Sequence, residues 1–350
     1  MAKVNPLLGK KLKKYGAVNL NACYNCGTCT AVCSLSTKED SFPRSMVRAG
    51  VAGIDTDIKS SLKPWLCYYC GECTSNCPQT ANPGELMMAL RRYLMSQYDW
   101  TGLSGLLFKS LPFSIIAFIL VIAGTIAYAL HAFNTGSNLD KIMDTGHYFE
   151  MFAISAVLIF ILAPNIFRMW WFTVVKPKKN ASIAAYFRNI GEFFVAMFTQ
   201  RRALNCEDNK VRWFEHLILV IGYLALLFTT VFLDWFSTHN PFIITFGYTV
   251  STIVFVVTVI FVSDRINKKK ELSKFSHHSD WFFVGGLFLM GFTAFFVRLF
   301  IDLGLLETNS WMYILHLIVL ASWALIIVPF GKWTHFLYRS FAMYFNKIVE

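Results

Sequence analysis

Charge is scarce in this sequence and unevenly placed: 15% of the 350 residues are Asp, Glu, Lys or Arg, and 32 basic residues outnumber 21 acidic ones. Histidine does not occur before residue 131, and one cysteine alone, Cys206, follows residue 77. Near the start, no apolar run of about 7 to 15 residues stands behind the basic residues, so no secretory signal is expected and the N-terminal part is expected to stay in the cytoplasm. With 55% apolar and 17% aromatic residues, the composition excludes a disordered chain, a disulfide-stapled secreted miniprotein and a wholly soluble enzyme. In a reducing compartment thiols ligate metal more readily than they form a disulfide framework.

What the sequence has in abundance is long apolar stretches, all after Leu106. A helix needs about 20 mostly apolar residues to cross the hydrocarbon while satisfying its own backbone hydrogen bonds. Six stretches qualify: Leu111 to Phe133, Tyr148 to Phe172, Trp213 to Trp235, Pro241 to Ser263, Trp281 to Leu303 and Trp311 to Phe336. The connections on the side of the cysteines hold 16 Lys and Arg, and those on the other side hold only Lys141. That asymmetry predicts an even number of crossings with both termini in the cytoplasm. The net charge of +11 then belongs to membrane orientation and anionic lipid headgroups, and nucleic acid is not an expected partner. Before the third crossing, Ile183 to Leu204 mixes aromatic and charged residues and reads as an interfacial helix, with a partner-binding helix as the alternative. Cys206, without a companion nearby, reads as a free thiol.

The other eight cysteines form two runs of one spacing: Cys23, Cys26, Cys29, Cys33, and Cys67, Cys70, Cys73, Cys77 followed by Pro78. Three cysteines at two-residue intervals can wrap one cubane, and the fourth in each run reaches across to the other cluster. This assigns Cys23, Cys26, Cys29 and Cys77 to one [4Fe-4S] centre, and Cys67, Cys70, Cys73 and Cys33 to the second. A pair of tetrahedral zinc sites would use the same thiols, but zinc sites are usually built from separated C-x2-C pairs. Gly27 and Gly71, at equivalent places in the two runs, suit a loop that wraps a cluster closely or needs positive φ. The 33 residues between the runs contain a short predicted helix beginning at Arg44, and a second follows Pro83 over 84–97. Such a helical domain carries single electrons and needs a redox partner at each end.

The eight histidines all fall in the membrane half, where ionisable residues are costly and imidazole is a natural axial ligand for haem iron. In the last crossing His316 and His335 are 19 residues apart, about 28 Å along a continuous helix, so one helix would offer a ligand near each face. The two side chains would differ in direction by about 100°, although Pro329 can kink the axis. His216 begins the third crossing at the depth of His335 and is its expected partner. His316 lies toward the outer face with His131, His147 and His239, of which His131 and His147 rank equally. His277 and His278 are expected to be solvated in a basic loop. Arg298 and Asp302 read either as an ion pair or as a quinone-site or propionate-binding pair, and Asp234 and Glu150 as proton-relay candidates.

These motifs resemble a known family. Cys23-Tyr-Asn-Cys-Gly-Thr-Cys-Thr-Ala-Val-Cys33, Phe42-Pro-Arg44, Pro64-Trp65-Leu66-Cys67 and Cys70-Gly-Glu-Cys73-Thr-Ser-Asn-Cys77-Pro78 resemble the ferredoxin subunit of heterodisulfide reductases. The remainder, with His216 after a basic loop and Val328-Pro-Phe-Gly-Lys-Trp-Thr-His335, is similar to the cytochrome b subunit of the same enzymes and, more distantly, of nitrate reductase. One polypeptide joining both resembles the membrane subunit of the quinone-interacting membrane-bound oxidoreductases of sulfur-metabolising microbes. The resemblance implies an all-α chain: a cytoplasmic dicluster ferredoxin-like domain over 1–100 and a six-helix transmembrane di-haem cytochrome b domain over 101–350. It further implies two b haems, electron exchange with menaquinone, cytoplasmic flavin and iron-sulfur subunits resembling heterodisulfide reductase A, and adenylylsulfate reductase as the electron partner beyond them. The alternatives are a membrane subunit of a heterodisulfide or other thiol reductase, and a zinc-binding membrane scaffold. One departure stands out: where the nitrate reductase cytochrome has a second histidine on the third crossing, this chain has Leu226.

Overall fold

The computed structural model describes residues 4–205, 210–231, 240–268 and 271–350; Cys206, Asp234 and His239 lie outside them. Among the described residues the chain is helical and contains no strand. The first part holds α1 (Leu8–Lys14), α2 (Arg44–Ala52), α3 (Pro83–Tyr98) and α4 (Leu103–Lys109), with single-turn helices Thr28–Ala31 and Glu72–Ser75 inside the cysteine runs. Proline at the first position of α3 loses no helical hydrogen bond there, because that N–H has no intrahelical acceptor. Helix α3 is buried on nearly every side and is the post around which the first part is built.

Among the described residues six helices are long and apolar enough to cross a bilayer. They are α5 (Leu111–Asn134), α6 (Leu139–Val175), α8 (Lys210–Val231), α9 (Pro241–Asn267), α10 (His278–Asp302), and a last segment made of α11 (Trp311–Ser322) and its continuation; α7 (Ile190–Thr199) precedes α8. Their outward faces are large apolar side chains such as Leu120, Phe152 and Phe160, as lipid contact requires. Helices associate here through small residues: a Cβ on Gly291 would come within 2.9 Å of the Phe255 backbone nitrogen, so α9 and α10 approach at the closeness glycine permits.

Two boundaries depart from the sequence reading. Helix α6 begins nine residues before Tyr148, which places His147 within the helix and not at its entrance. The last crossing is not continuous to Phe336. After α11 the backbone widens into a π-helical stretch, Trp323–Ile327, leaves the helix at Gly331 and restarts as α12, Thr334–Val349. Pro329 lacks the N–H that would bond the preceding turn, and a Cβ at residue 331 would meet the Ile327 carbonyl oxygen at 2.7 Å. His335 therefore sits in the first turn of a new helix, and the continuous-helix ruler between His316 and His335 does not apply.

Helix α12 belongs as much to the first part as to the bundle. Trp65, Tyr98 and Tyr338 form one buried aromatic cluster with ring centres 5.4–6.3 Å apart. The core containing Leu8, Trp65 and Tyr93 continues without a gap into Tyr338, Ala342 and Phe345. The stretch expected as one interfacial helix, Ile183 to Leu204, is divided into Ile183–Arg188, α7 and a 3-10 turn from Arg201; α7 packs Phe193 on Phe341 of α12 at 4.6 Å while leaving Phe194 and Phe198 exposed.

Candidate redox centres

The two cysteine runs fold as near-copies. Asn25 and Tyr69, each two residues after the first cysteine, have φ of 59° and 57°; Gly27 and Gly71 have φ of 94° and 96°. The glycines take the conformation their spacing suggested, and Asn25 and Tyr69, which local pattern did not reveal, take it too. The left-handed turns direct the Asn25 and Tyr69 N–H groups at the Cys23 and Cys67 sulfurs, at 3.4 and 3.3 Å, and the Ala81 N–H at Cys77 Sγ, 3.3 Å. Such N–H donors stabilise thiolate charge and tune a cluster's potential. Arg44 Nε donates to Asn25 Oδ1 at 2.8 Å, which pins the first loop.

The sulfurs gather across the runs. Burial raises the Cys29 thiol pKa, and the neighbouring Cys23, Cys26 and Cys77 sulfurs raise it further. Burial likewise pushes Cys33 up to about 11, with Cys67 and Cys70 adding to it, and raises Cys73, whose neighbours are Cys67, Cys70, Cys33 and Cys29. Cys33, Cys67, Cys70 and Cys73 line one small pocket with Phe42 and Met87. Among the described residues no three His, Cys, Asp or Glu side chains converge tightly enough for a single metal ion. The two sets differ in exposure: Cys67 is buried, whereas Cys26 is exposed beside Tyr24.

His216 and His335 face each other across a larger cavity, ring centres 6.4 Å apart and ring planes at 67°. Each Nδ1 is engaged with a carbonyl oxygen, His216 with Gln200 Oε1 at 2.7 Å and His335 with the Lys332 backbone oxygen at 2.6 Å. Carbonyls only accept, so each Nδ1 carries the proton and each Nε2 offers a lone pair. Imidazoles at this separation would be able to hold one metal ion between them. Arg91, Arg212, Arg265, Lys332 and Arg339 line the same cavity and can neutralise carboxylates. Two buried polar atoms of its wall, Gln200 Nε2 and Glu215 Oε2, have no hydrogen-bond partner among the described residues. The residues present therefore fit a haem: His216 and His335, oriented by their Nδ1 hydrogen bonds as metal-binding imidazoles usually are, would hold its iron, and the cationic rim would face its carboxylates.

The cavity and the second cysteine run share a wall. Tyr68 and Tyr69, between Cys67 and Cys70, line the cavity. Arg212 Nη1 donates to the Tyr69 oxygen at 3.2 Å. Buried Arg91 donates to the Pro64 oxygen at 2.7 Å and to the Cys67 oxygen; burial pulls its pKa down to about 9. The Tyr69 hydroxyl donates to Glu85, whose carboxyl burial pushes up to about 7, partly opposed by the Arg92 guanidinium. Sequence reasoning missed Gln200, Arg91 and Glu85. Each acts through a partner at least 16 residues away, which no local spacing encodes.

Toward the other end lie the remaining candidates. His316 Nδ1 is 2.8 Å from Thr293 Oγ1, whose hydroxyl donates to the Leu289 oxygen at 2.7 Å; this imidazole also keeps Nε2 for another partner. Among the described residues no hydrogen bond or ring contact joins it to exposed His131 or to half-buried His147, which lies beside Tyr148. Asp302 is paired with Arg298 through two nitrogens and accepts the Tyr248 hydroxyl at 2.7 Å. His277 and His278, expected in solvent, are half-buried: their ring centres are 4.0 Å apart with the planes tilted by 37°, His278 Nε2 is 2.8 Å from the Leu107 oxygen, and His277 caps α10. Burial, with Arg92 and His278 adding, pulls the His277 pKa down to about 3, so it is neutral. The packing of α10 onto the first part covers a pair that sequence alone places in a polar loop.

Residues 19–81 match the family model of the 4Fe-4S dicluster domain. Over 88 residues the chain is 31% identical to a heterodisulfide reductase C-like protein of Archaeoglobus profundus, a match covering 25% of this chain and 47% of that protein. The chain thus spans about half the length of the curated relative it matches. No solved structure matches. Geometry and comparison agree that an iron-sulfur electron-transfer domain, similar to that of a heterodisulfide reductase C-like protein, is joined in this chain to six apolar helices of membrane-spanning length.

Proposed function

We propose that this chain is the electron-transferring membrane subunit of a quinone-linked oxidoreductase. The observation that carries the reading is the His216–His335 pair: imidazoles 6.4 Å apart, both oriented through Nδ1, beside the loop that holds Cys67 and Cys70. In this reading residues 1–100 are the cytoplasmic domain, with Cys23, Cys26, Cys29 and Cys77 on one cubane and Cys67, Cys70, Cys73 and Cys33 on the other. Residues 101–350 form the cytochrome b domain. A b haem bound there would supply reversible one-electron chemistry inside the bilayer; the chain's part is to hold its axial positions, balance its carboxylates with arginine and exclude water. His316, with His131 or His147, is the proposed site of a second haem, and Arg298 with Asp302 and Tyr248 the proposed contact for menaquinone. The partners are cytoplasmic flavin and iron-sulfur subunits resembling heterodisulfide reductase A and, beyond them, adenylylsulfate reductase of sulfur metabolism.

A reduced-minus-oxidised optical spectrum of the purified protein tests this. The reading expects b-type bands that weaken in His216→Ala and His335→Ala, and a sample without such bands overturns it. The similarity to a heterodisulfide reductase C-like protein supports a second reading, a membrane subunit of a heterodisulfide or other thiol reductase. Partners that co-purify, and whether they reduce a disulfide substrate or adenylylsulfate, separate the two.

A further inference from the structure

Where the iron-sulfur part meets the bundle, three charges are linked in series. Arg92 of α3 and Asp280 of α10 are both buried and paired at 2.8 Å. Lys332, in the turn between α11 and α12, reaches the second oxygen of Asp280 at 2.7 Å. The other arm of Arg92 donates to the Tyr15 oxygen at 2.8 Å, and the His277 N–H donates to Asp280 at 3.1 Å. Lys332 is also the residue whose backbone oxygen holds His335 Nδ1 at 2.6 Å. A single chain of contacts thus runs from the iron-sulfur part to an imidazole facing the membrane cavity.

Stability alone does not explain this array, because replacing buried ion groups together with apolar residues of similar volume is often neutral or stabilising. The array lies where position matters. The helix breaks at Gly331, whose N–H still bonds the Ile327 oxygen at 3.1 Å, and the Lys332–Asp280 pair holds the turn that follows from the side. We propose that Arg92, Asp280 and Lys332 are positioning residues that seat the iron-sulfur part on the bundle and, through the Lys332 carbonyl, set the angle of the His335 ring. Arg92, which does not line the cavity, thereby controls a ligand in the other half of the chain. The proposal rests on the reading of His216 and His335 as axial ligands.

The test compares the wild type with Arg92→Met and Arg92→Lys, all as full-length protein in detergent. Two readouts are used: haem retained per chain, and the ferric low-spin paramagnetic resonance signal, whose anisotropy follows the angle between the two imidazole planes. Arg92→Met is expected to shift that signal and to weaken haem retention roughly 10-fold, as loss of outer-shell support does, whereas Arg92→Lys keeps both. If Arg92→Met does not fold, the combined Arg92→Met/Asp280→Leu/Lys332→Met variant removes the charges together, and the same shift is expected in it. A wild-type signal and wild-type retention in the folded variant overturn the proposal. A wild type that binds no b haem overturns the proposed function and the proposal with it, and that failure is recognised because it occurs before any substitution.

Discussion

Gln200 gives the sharpest separation of stability from ligand chemistry. It follows the end of α7 with φ of 48°, in the left-handed region where a side chain is disfavoured by about 1 kcal/mol and glycine is usual. A glutamine is nevertheless present, and its Oε1 accepts the proton of His216 Nδ1 at 2.7 Å. Gln200→Gly should therefore act unequally on two measurements. In the haem-free protein, relief of about 1 kcal/mol of backbone strain is offset by loss of a hydrogen bond of about 1 kcal/mol, so stability should change little. Haem affinity should fall roughly 10- to 100-fold, about 1.4 to 2.7 kcal/mol, because the imidazole loses the bond that fixes its tautomer and orientation. Thermal unfolding of the haem-free sample and absorbance titration with haem read the two effects separately. Gln200→Glu keeps an acceptor and makes it anionic, so it should retain haem and lower its midpoint potential. Haem affinity in Gln200→Gly equal to the parent's would refute the assignment of His216.

Cys33→Ser should remove the cluster held by Cys67, Cys70 and Cys73 and spare the one held by Cys23, Cys26 and Cys29, read as loss of one of two paramagnetic resonance signals; loss of the opposite signal would contradict crossed ligation. For Glu85 the sign follows from a folded pKa of about 7 against an ordinary 4.5. The carboxyl's contribution to stability is complete below pH 4.5 and is lost as pH rises through 7, a change of about 3 kcal/mol. In Glu85→Gln, stability should fall less than the parent's between pH 4.5 and 7.5, measured by chemical unfolding at each pH, and parallel curves would refute the burial argument.

The fold class was legible because its two signals are local. Runs of about 20 apolar residues are forced by bilayer thickness, and the repeated cysteine spacing is forced by the size of a cluster. Pairing His216 with His335 drew on depth, which the order of crossings encodes. What escaped the sequence reading was tertiary. Continuity through Pro329 and Gly331 was assumed, and the break at Gly331 puts His335 on α12. His277 and His278 looked solvated because what meets them, Leu107 of α4 and Gly16, lies far earlier in the sequence. Gln200, Arg91 and the Arg92–Asp280–Lys332 array are ordinary polar residues whose work is defined only by what they meet. For the outer imidazoles, depth placed His131, His147 and His316 at one end of the bundle, and among the described residues no hydrogen bond or ring contact joins them.

The central claim is that one polypeptide carries thiolate-bound iron clusters beside a haem held by two imidazoles. Counting non-haem iron, acid-labile sulfide and haem per chain in anaerobically purified full-length protein tests it most directly. Two cubanes predict about eight non-haem iron atoms and about eight sulfides, together with b haem that His216→Ala/His335→Ala reduces while leaving sulfide unchanged. Zinc in place of iron, with no porphyrin, would contradict the account.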